Sequence, residues 1–265
     1  MDPSTVNGTN YGYFYASASC ISFTMCNLLI LRRLVPSCAK QTSGQNWKWR
    51  NTANSLIHSI ISGIWSLYCF WETPVIREDL INKYTASSHC VMSFSIGYFA
   101  YDLCDLVLNH RKRSSYELMV HHILVLLCFG LAMTTRYYLG YGLVALLVEV
   151  NSVFLHIRQL MLIQGVNKRQ MIYRINSFFN VATFIVFRIV TLGWMTRWLA
   201  VHRDELSFTA FTLGSISMAV IMVMNIVLFL RVVYADFRPG QRTHPIMQEE
   251  EIQNQNSIDG KRKMN

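Results

Sequence analysis

The residues best suited to chemistry are two adjacent histidines, His121 and His122, and three carboxylates, Asp102, Asp105 and Glu149, because all five interrupt long apolar stretches. At membrane depth an ionisable side chain costs on the order of a few kcal/mol unless paired or hydrated, so each is a functional candidate. Near neutral pH an imidazole takes or gives a proton, or attacks an acyl carbonyl, while a carboxylate on its second nitrogen fixes the tautomer. Successive residues on a helix point about 100° apart, so one histidine faces a shared site while the other braces it or meets a neighbour. Both lie about 9 Å inside the end of their helix. The four-residue spacing of a helical zinc pair is absent, and no metal is expected.

Further polar residues fall at matching depths. Asn54 and His58 are four apart on one helix, and Asp102 and Asp105 are a turn apart on the next. Glu149, Ser152 and His156 follow i, i+3, i+7 spacing on a helix that also carries Asn151 and Arg158. Asn176, Asn180 and Thr183 form a stripe leading to Arg188 near mid-depth, where Glu149 is its natural partner. The levels coincide, which predicts a polar cavity open toward the cytosol and walled by the second to sixth helices. Structural uses compete: His58, Asn54 and Asn176 also suit interhelical hydrogen-bond clips, and Asp102 or Asp105 also suits pairing with Arg111, Lys112 or Arg158.

Positioning these groups falls to membrane helices. Of the 265 residues, 52% are hydrophobic and 15% charged, against roughly 25% charged in soluble chains, which excludes a water-soluble globule. The five prolines lie between or outside the apolar runs, so those runs read as uninterrupted helices. Crossing ~30 Å of hydrocarbon takes about 20 residues. Seven windows qualify: 13–34, 51–71, 88–108, 116–138, 140–163, 174–199 and 207–233. Seventeen of the 24 Lys and Arg fall in alternate segments, beginning with Arg32, Arg33, Lys40, Lys48 and Arg50, which places the amino terminus outside and the carboxyl terminus in the cytosol. The first window lacks a basic leader and reads as a retained signal anchor. Asn7-Gly8-Thr9 is a glycosylation sequon on the outer side or a chance tripeptide.

The net charge of +9 is spread over short loops, which fits anionic lipid head groups and not nucleic acid. Seven cysteines include no Cys-x-x-Cys; Cys69 and Cys90, both near the outer surface, either pair or stay free. Trp47, Trp49, Trp71, Trp194 and Trp198 read as interfacial anchors. A heptahelical receptor is disfavoured by the lack of an Asp-Arg-Tyr-like end to the third helix and a proline in the seventh.

The double histidine within Tyr116 to Cys128, followed by Gly142-Leu143-Val144, Glu149-Val150-Asn151-Ser152, Leu155-His156 and Arg158, resembles the TLC-domain family, which includes the ceramide synthases. Ser152 stands where ceramide synthases carry a second Asp, and His156 where they carry Glu. A closer likeness is to the subfamily of TLC domain-containing proteins 1 and 2, carried by Trp47-Lys48-Trp49-Arg50-Asn51, His58-Ser59, Ser62-Gly63-Ile64-Trp65, Gly97-Tyr98-Phe99, Asp102, Asp105 and Leu147-Val148-Glu149-Val150.

The resemblance implies an all-α polytopic membrane protein of seven transmembrane helices. Residues 1–12 form an extracellular terminus, 13–44 the first helix and a cytoplasmic loop, 45–235 a six-helix TLC domain around a central cavity, and 236–265 a disordered cytoplasmic tail. It implies a regulator of plasma-membrane phospholipid acyl composition and fluidity that limits incorporation of polyunsaturated chains; the endoplasmic reticulum is the alternative location. Partners are membrane phospholipids or acyl chains, with homo-oligomerisation open. No cofactor is expected. If the chain is an enzyme it is an acyltransferase with acyl-CoA as cosubstrate, using His121 or His122 oriented by Asp102, Asp105 or Glu149.

Overall fold

The second helix departs most from the hydropathy pattern and explains how the others are arranged. In the computed structural model the backbone is described for residues 3–109 and 113–237, and side chains for 11–109 and 116–237. Helix α1 (Pro3–Met25) continues through a π-helical segment, Cys26–Leu31, and the turn Arg32–Leu34. Then come α2 (Ser43–Glu72), α3 (Ala86–Asn109) and α4 (Arg113–Thr135). A break at Leu147 divides α5 (Leu139–Leu146) from α6 (Val148–Ile163), and a π-helical segment, Ile185–Val190, joins α7 (Met171–Phe184) to α8 (Thr191–Val201). Last is α9 (Phe208–Phe237). No strand occurs among the described residues.

Among the described residues six helical rods are long and apolar enough to cross a membrane, including Tyr11–Leu34, Leu139–Ile163 and Met171–Val201. The expected seventh, α2, falls short in apolarity though not in length, because its inward face carries Asn54, Ser55, His58, Ser59, Ser62 and Ser66, all buried. Those hydroxyls cost little: Ser55, Ser62 and Ser66 donate to carbonyls of their own helix. Thr42 caps the helix by accepting from the Gln45 amide.

Bonded pairs fix the directions. Trp47 meets Asp105, Asn51 meets Asp102, Ser55 meets Tyr98 and Trp65 meets Ser87, so α2 runs antiparallel to α3 over about 27 Å at helical rise. Ser19 with Phe94 and Asn27 with Tyr101 make α1 parallel to α3. Asp102 with His122 and His89 with Met133 set α4 antiparallel again. Asn151 with Asn180, and Arg188 with Asn225, continue the alternation. One end of the bundle therefore gathers Arg32, Lys48 and Lys168; it is called the basic end below.

Gly97 is where α1 and α3 come closest. A Cβ there would fall on the Ala16 carbonyl oxygen and lie 2.7 Å from Ser19 Cβ. The main core, including Met92, Phe99, Phe129, Leu143 and Met195, sits between α3, α4, the α5–α6 rod and α8. Lipid-sized side chains such as Phe14, Trp71 and Phe178 point outward.

The chain divides into two units, 1–230 and 231–265. The second begins in the last turns of α9, which runs to Phe237, so the expected tail starts inside a helix at 236–237; the rest of it, 238–265, lies outside the described residues. Asn7 lies in α1 with its side chain outside them as well. Cys69 and Cys90 are both free thiols, Cys69 Sγ lying 3.3 Å from Ser87 Oγ. Trp47 and Trp49 are buried instead of anchoring at an interface, whereas Trp71 and Trp194 are exposed.

Candidate functional site

Among the described residues three polar clusters occupy the interior, and an apolar cavity meets the second and third of them. Nearest the basic end, Trp47 Nε1 donates to Asp105 Oδ2 at 2.8 Å, and Asn51 Nδ2 bridges Asp105 Oδ2 and Asp102 Oδ1 at 3.1 and 2.6 Å. Asp102 Oδ2 lies 3.2 Å from His122 Nε2, both side chains being almost fully buried. The chain of contacts thus runs from the half-exposed Asp105 to a histidine deep between helices. His122 Nδ1 has no hydrogen-bond partner. Asp102 pairs with His122 and Asn51, and Asp105 with Asn51 and Trp47; Arg111 and Lys112, two of the alternative partners, lie outside the described residues.

The second cluster centres on Glu149, which accepts a 2.6 Å hydrogen bond from Ser59 and lies 4.0 Å from His58 Nδ1. His58 is sandwiched by position: its ring stacks on Tyr98 with centroids 3.9 Å apart, and Nε2 lies 3.3 Å from Ser95 Oγ. Close approach of α2 to α6 permits this, since Gly63 leaves only 3.3 Å between a would-be Cβ and the Val150 nitrogen.

Arg188 organises the third cluster. Its Nε donates to Asn151 Oδ1 at 2.7 Å, Nη1 to Asn225 Oδ1 at 2.8 Å and Nη2 to Ser152 Oγ at 2.7 Å. Asn151 Nδ2 in turn donates to the Asn180 carbonyl, to its side-chain oxygen and to Thr183 Oγ1. The expected Glu149–Arg188 pair is therefore not made: Arg188 bonds three neutral oxygens, and Glu149 turns to α2. Glu149 and Ser152 diverge because the three-residue offset leaves a 60° difference about the helix axis.

Between α4 and α9 lies a partly open cavity with a largely apolar lining. One wall is a single face of α4: His121, Val125, Cys128, Phe129 and Ala132. The opposite wall is Gly214, Ser217, Met218, Ile221 and Asn225 of α9. Each wall runs over eleven helical rises, about 16 Å, which is half the ~30 Å hydrocarbon core and so the length of one acyl chain in a leaflet. His121, Glu149 and Asn225 stand at its polar end; Tyr138 and Tyr141 close the far end. The walls come from α3, α4, the α5–α6 rod, α8 and α9, that is from the third to the seventh of the expected spans, so the seventh stands in for the second, and the cavity occupies the half of the bundle away from the basic end. Its lining is nearly all apolar, so a sequence reading based on polar residues does not reach it.

The histidines divide as helix geometry requires: His121 faces the cavity and His122 pairs with Asp102, with ring centroids 5.5 Å apart. Asn54 donates to the Phe23 carbonyl and Asn176 to the Phe154 carbonyl, so both act as interhelical clips. Asn180 is fully buried beside Asn151, Arg158 is buried, and His156 is half-buried toward the basic end. Sequence reasoning missed Asn51, Ser59, Tyr98 and Asn225. The first two were legible as one stripe on α2, Asn51, Ser55, Ser59, Ser62 and Ser66, at helical spacing.

Comparison with known proteins agrees. A TLC domain matches residues 48–234. TLC domain-containing protein 2 of Danio rerio is 43% identical over 229 residues, covering 86% of this chain and 92% of that protein. The human TLC domain-containing protein 2 is 31% identical over 234 residues, covering 88% and 87%, and human TLC domain-containing protein 1 is 30% identical over 219 residues, covering 83% and 87%. With its helices, its histidine pair and more than half of its length inside the match, the chain belongs to the TLC-domain family.

Proposed function

We propose that this protein holds one acyl chain in the cavity between α4 and α9 and through that occupancy regulates phospholipid acyl composition, limiting polyunsaturated chains in the plasma membrane. In this reading the basic end faces the cytosol. The observation that carries it is the match between an apolar slot about 16 Å long and the acyl depth of one leaflet, ending at His121, Glu149 and Asn225. The test is to purify the chain in native-lipid discs, extract it and profile the retained acyl chains. Wild type is expected to retain acyl species that Ala145→Phe, which fills the slot, does not, and cells expressing the variant lose the restraint on polyunsaturated chains. Identical profiles would overturn the reading.

One observation favours a second reading: His121 lines the slot while the Asp102–His122 pair lies behind it. His121 then acts as base toward the hydroxyl of an acceptor lipid. The acceptor oxygen bonds the acyl carbon of acyl-CoA, the thioester C–S bond breaks, and the proton passes to the departing thiolate. Release of free CoA thiol by wild type but not by His121→Ala supports transfer; no release by either excludes it.

A further inference from the structure

We infer that Arg188 reads the head of the bound chain, so that the cavity takes an unesterified fatty acid with its carboxylate against the guanidinium and its tail between α4 and α9. The inference rests on the acyl-chain reading of the cavity and adds the head group. A guanidinium has five N–H donors and keeps its charge in proteins. Three donors of Arg188 reach Asn151, Asn225 and Ser152, all uncharged, which leaves two. Glu149, which also lines the polar end, acts on Arg188 only through space and gives its hydrogen bond to Ser59, while Asp102 is held by Asn51 and His122. The two remaining donors of this half-buried cation therefore have no directly bonded anion.

Asn225 both lines the polar end of the cavity and accepts from Arg188, so the guanidinium stands one hydrogen bond behind that end. Its helix is π-helical at this point, Ile185–Val190, a distortion frequent at functional sites. A planar fork suits a carboxylate's two oxygens. Position narrows the class further. Arg188 lies near the middle of the Met171–Val201 rod, whereas a diacyl phospholipid keeps its phosphate at the interface. A single chain headed at mid-membrane, with a tail one leaflet long, is a fatty acid.

The test uses the purified full chain in detergent micelles with tritiated palmitate and tritiated methyl palmitate, at alkaline pH where the carboxyl is ionised. Wild type is expected to bind palmitate about ten- to a hundredfold more tightly than the ester. Arg188→Gln removes that preference; Arg188→Lys keeps part of it; Ala145→Phe abolishes binding of both probes. Equal binding of the two probes by wild type, still blocked by Ala145→Phe, overturns the role of Arg188 and leaves the acyl-chain reading intact. No saturable binding of either probe overturns the acyl-chain reading itself. The wild-type comparison decides the matter even if Arg188→Gln does not fold.

Discussion

The contact between α1 and α3 and the space between α4 and α9 are opposite solutions to packing apolar helices. In the first, Gly97 lets the two backbones touch, and Ser19 and Asn27 bond across the seam. In the second, α9 is held off by a cavity and tied at separate points, Tyr138 to Ser207, Cys128 to Ser217 and Arg188 to Asn225. Close approach through small residues is how membrane helices gain van der Waals energy where no hydrophobic drive operates between them. Leaving a gap forfeits that energy, so the gap marks the place where something else supplies the contacts. The comparison breaks most sharply at glycine. Gly97→Leu places a side chain on backbone atoms that cannot yield, and we expect a loss of more than about 3 kcal/mol, read as failure to recover monodisperse protein. Gly214→Leu meets only Leu199 side-chain carbons at 3.4 and 3.5 Å and enters the cavity, so it is expected to fold normally and lose bound acyl chain.

The polar clusters sharpen the same contrast at lower amplitude. Asp102→Ala strips His122 Nε2 and Asn51 of a shared acceptor in a buried site, which should cost about 3 kcal/mol in thermal stability measured in detergent. Asp102→Asn keeps an acceptor oxygen and should lose less. Ser59→Ala removes the one hydroxyl that donates to Glu149, with an expected cost of about 1–2 kcal/mol. Because Glu149 also lines the cavity, Ser59→Ala should also alter acyl-chain retention, whereas Asp102→Ala, once folding is allowed for, alters it only through His122 and His121. A reversed ranking, with retention sensitive to Asp102 and not to Ser59, would move the functional centre toward the basic end.

How much of this was legible in the sequence differs by region for a physical reason. Six of the seven expected spans were readable because a bilayer imposes length and apolarity on what crosses it, and the opposed directions of His121 and His122 follow from helical pitch alone. The partners were not. Glu149 and Arg188 share a depth, but depth does not fix azimuth, and α2 approaches α6 closely enough through Gly63 to claim Glu149 for Ser59. The apolarity shortfall of α2 carried the missing information: a membrane helix with Asn51, Ser55, Ser59, Ser62 and Ser66 on one face must bury that face against protein. The cavity wall was illegible because Gly214, Met218 and Ile221 read the same whether they face lipid or an internal slot. Only packing distinguishes the two.

Outside the membrane the smallest effect is the cleanest one to sign. Asp79, in the turn between α2 and α3, accepts from the Ile81 and Asn82 amides at 3.0 and 2.8 Å and from the Asn82 side chain. The Asn82 amide is the largest influence, and together these donors hold the carboxyl below its ordinary value of 3.8. A depressed folded-state value means that the ionised form is favoured by folding, so the contribution is complete above the unfolded pKa and is lost as pH falls through the folded one. Solvent screening keeps it under about 1 kcal/mol. Asp79→Ala should therefore lower thermal stability slightly at neutral pH, with the gap to wild type narrowing as the buffer is taken below about pH 4. The Ile81 carbonyl of the turn also accepts from the Tyr138 amide, and Leu80 is seated against Gly140. Tyr138 closes the far end of the cavity, so a change in acyl-chain retention in Asp79→Ala would tie that turn to the slot, and unchanged retention would confine its role to stability.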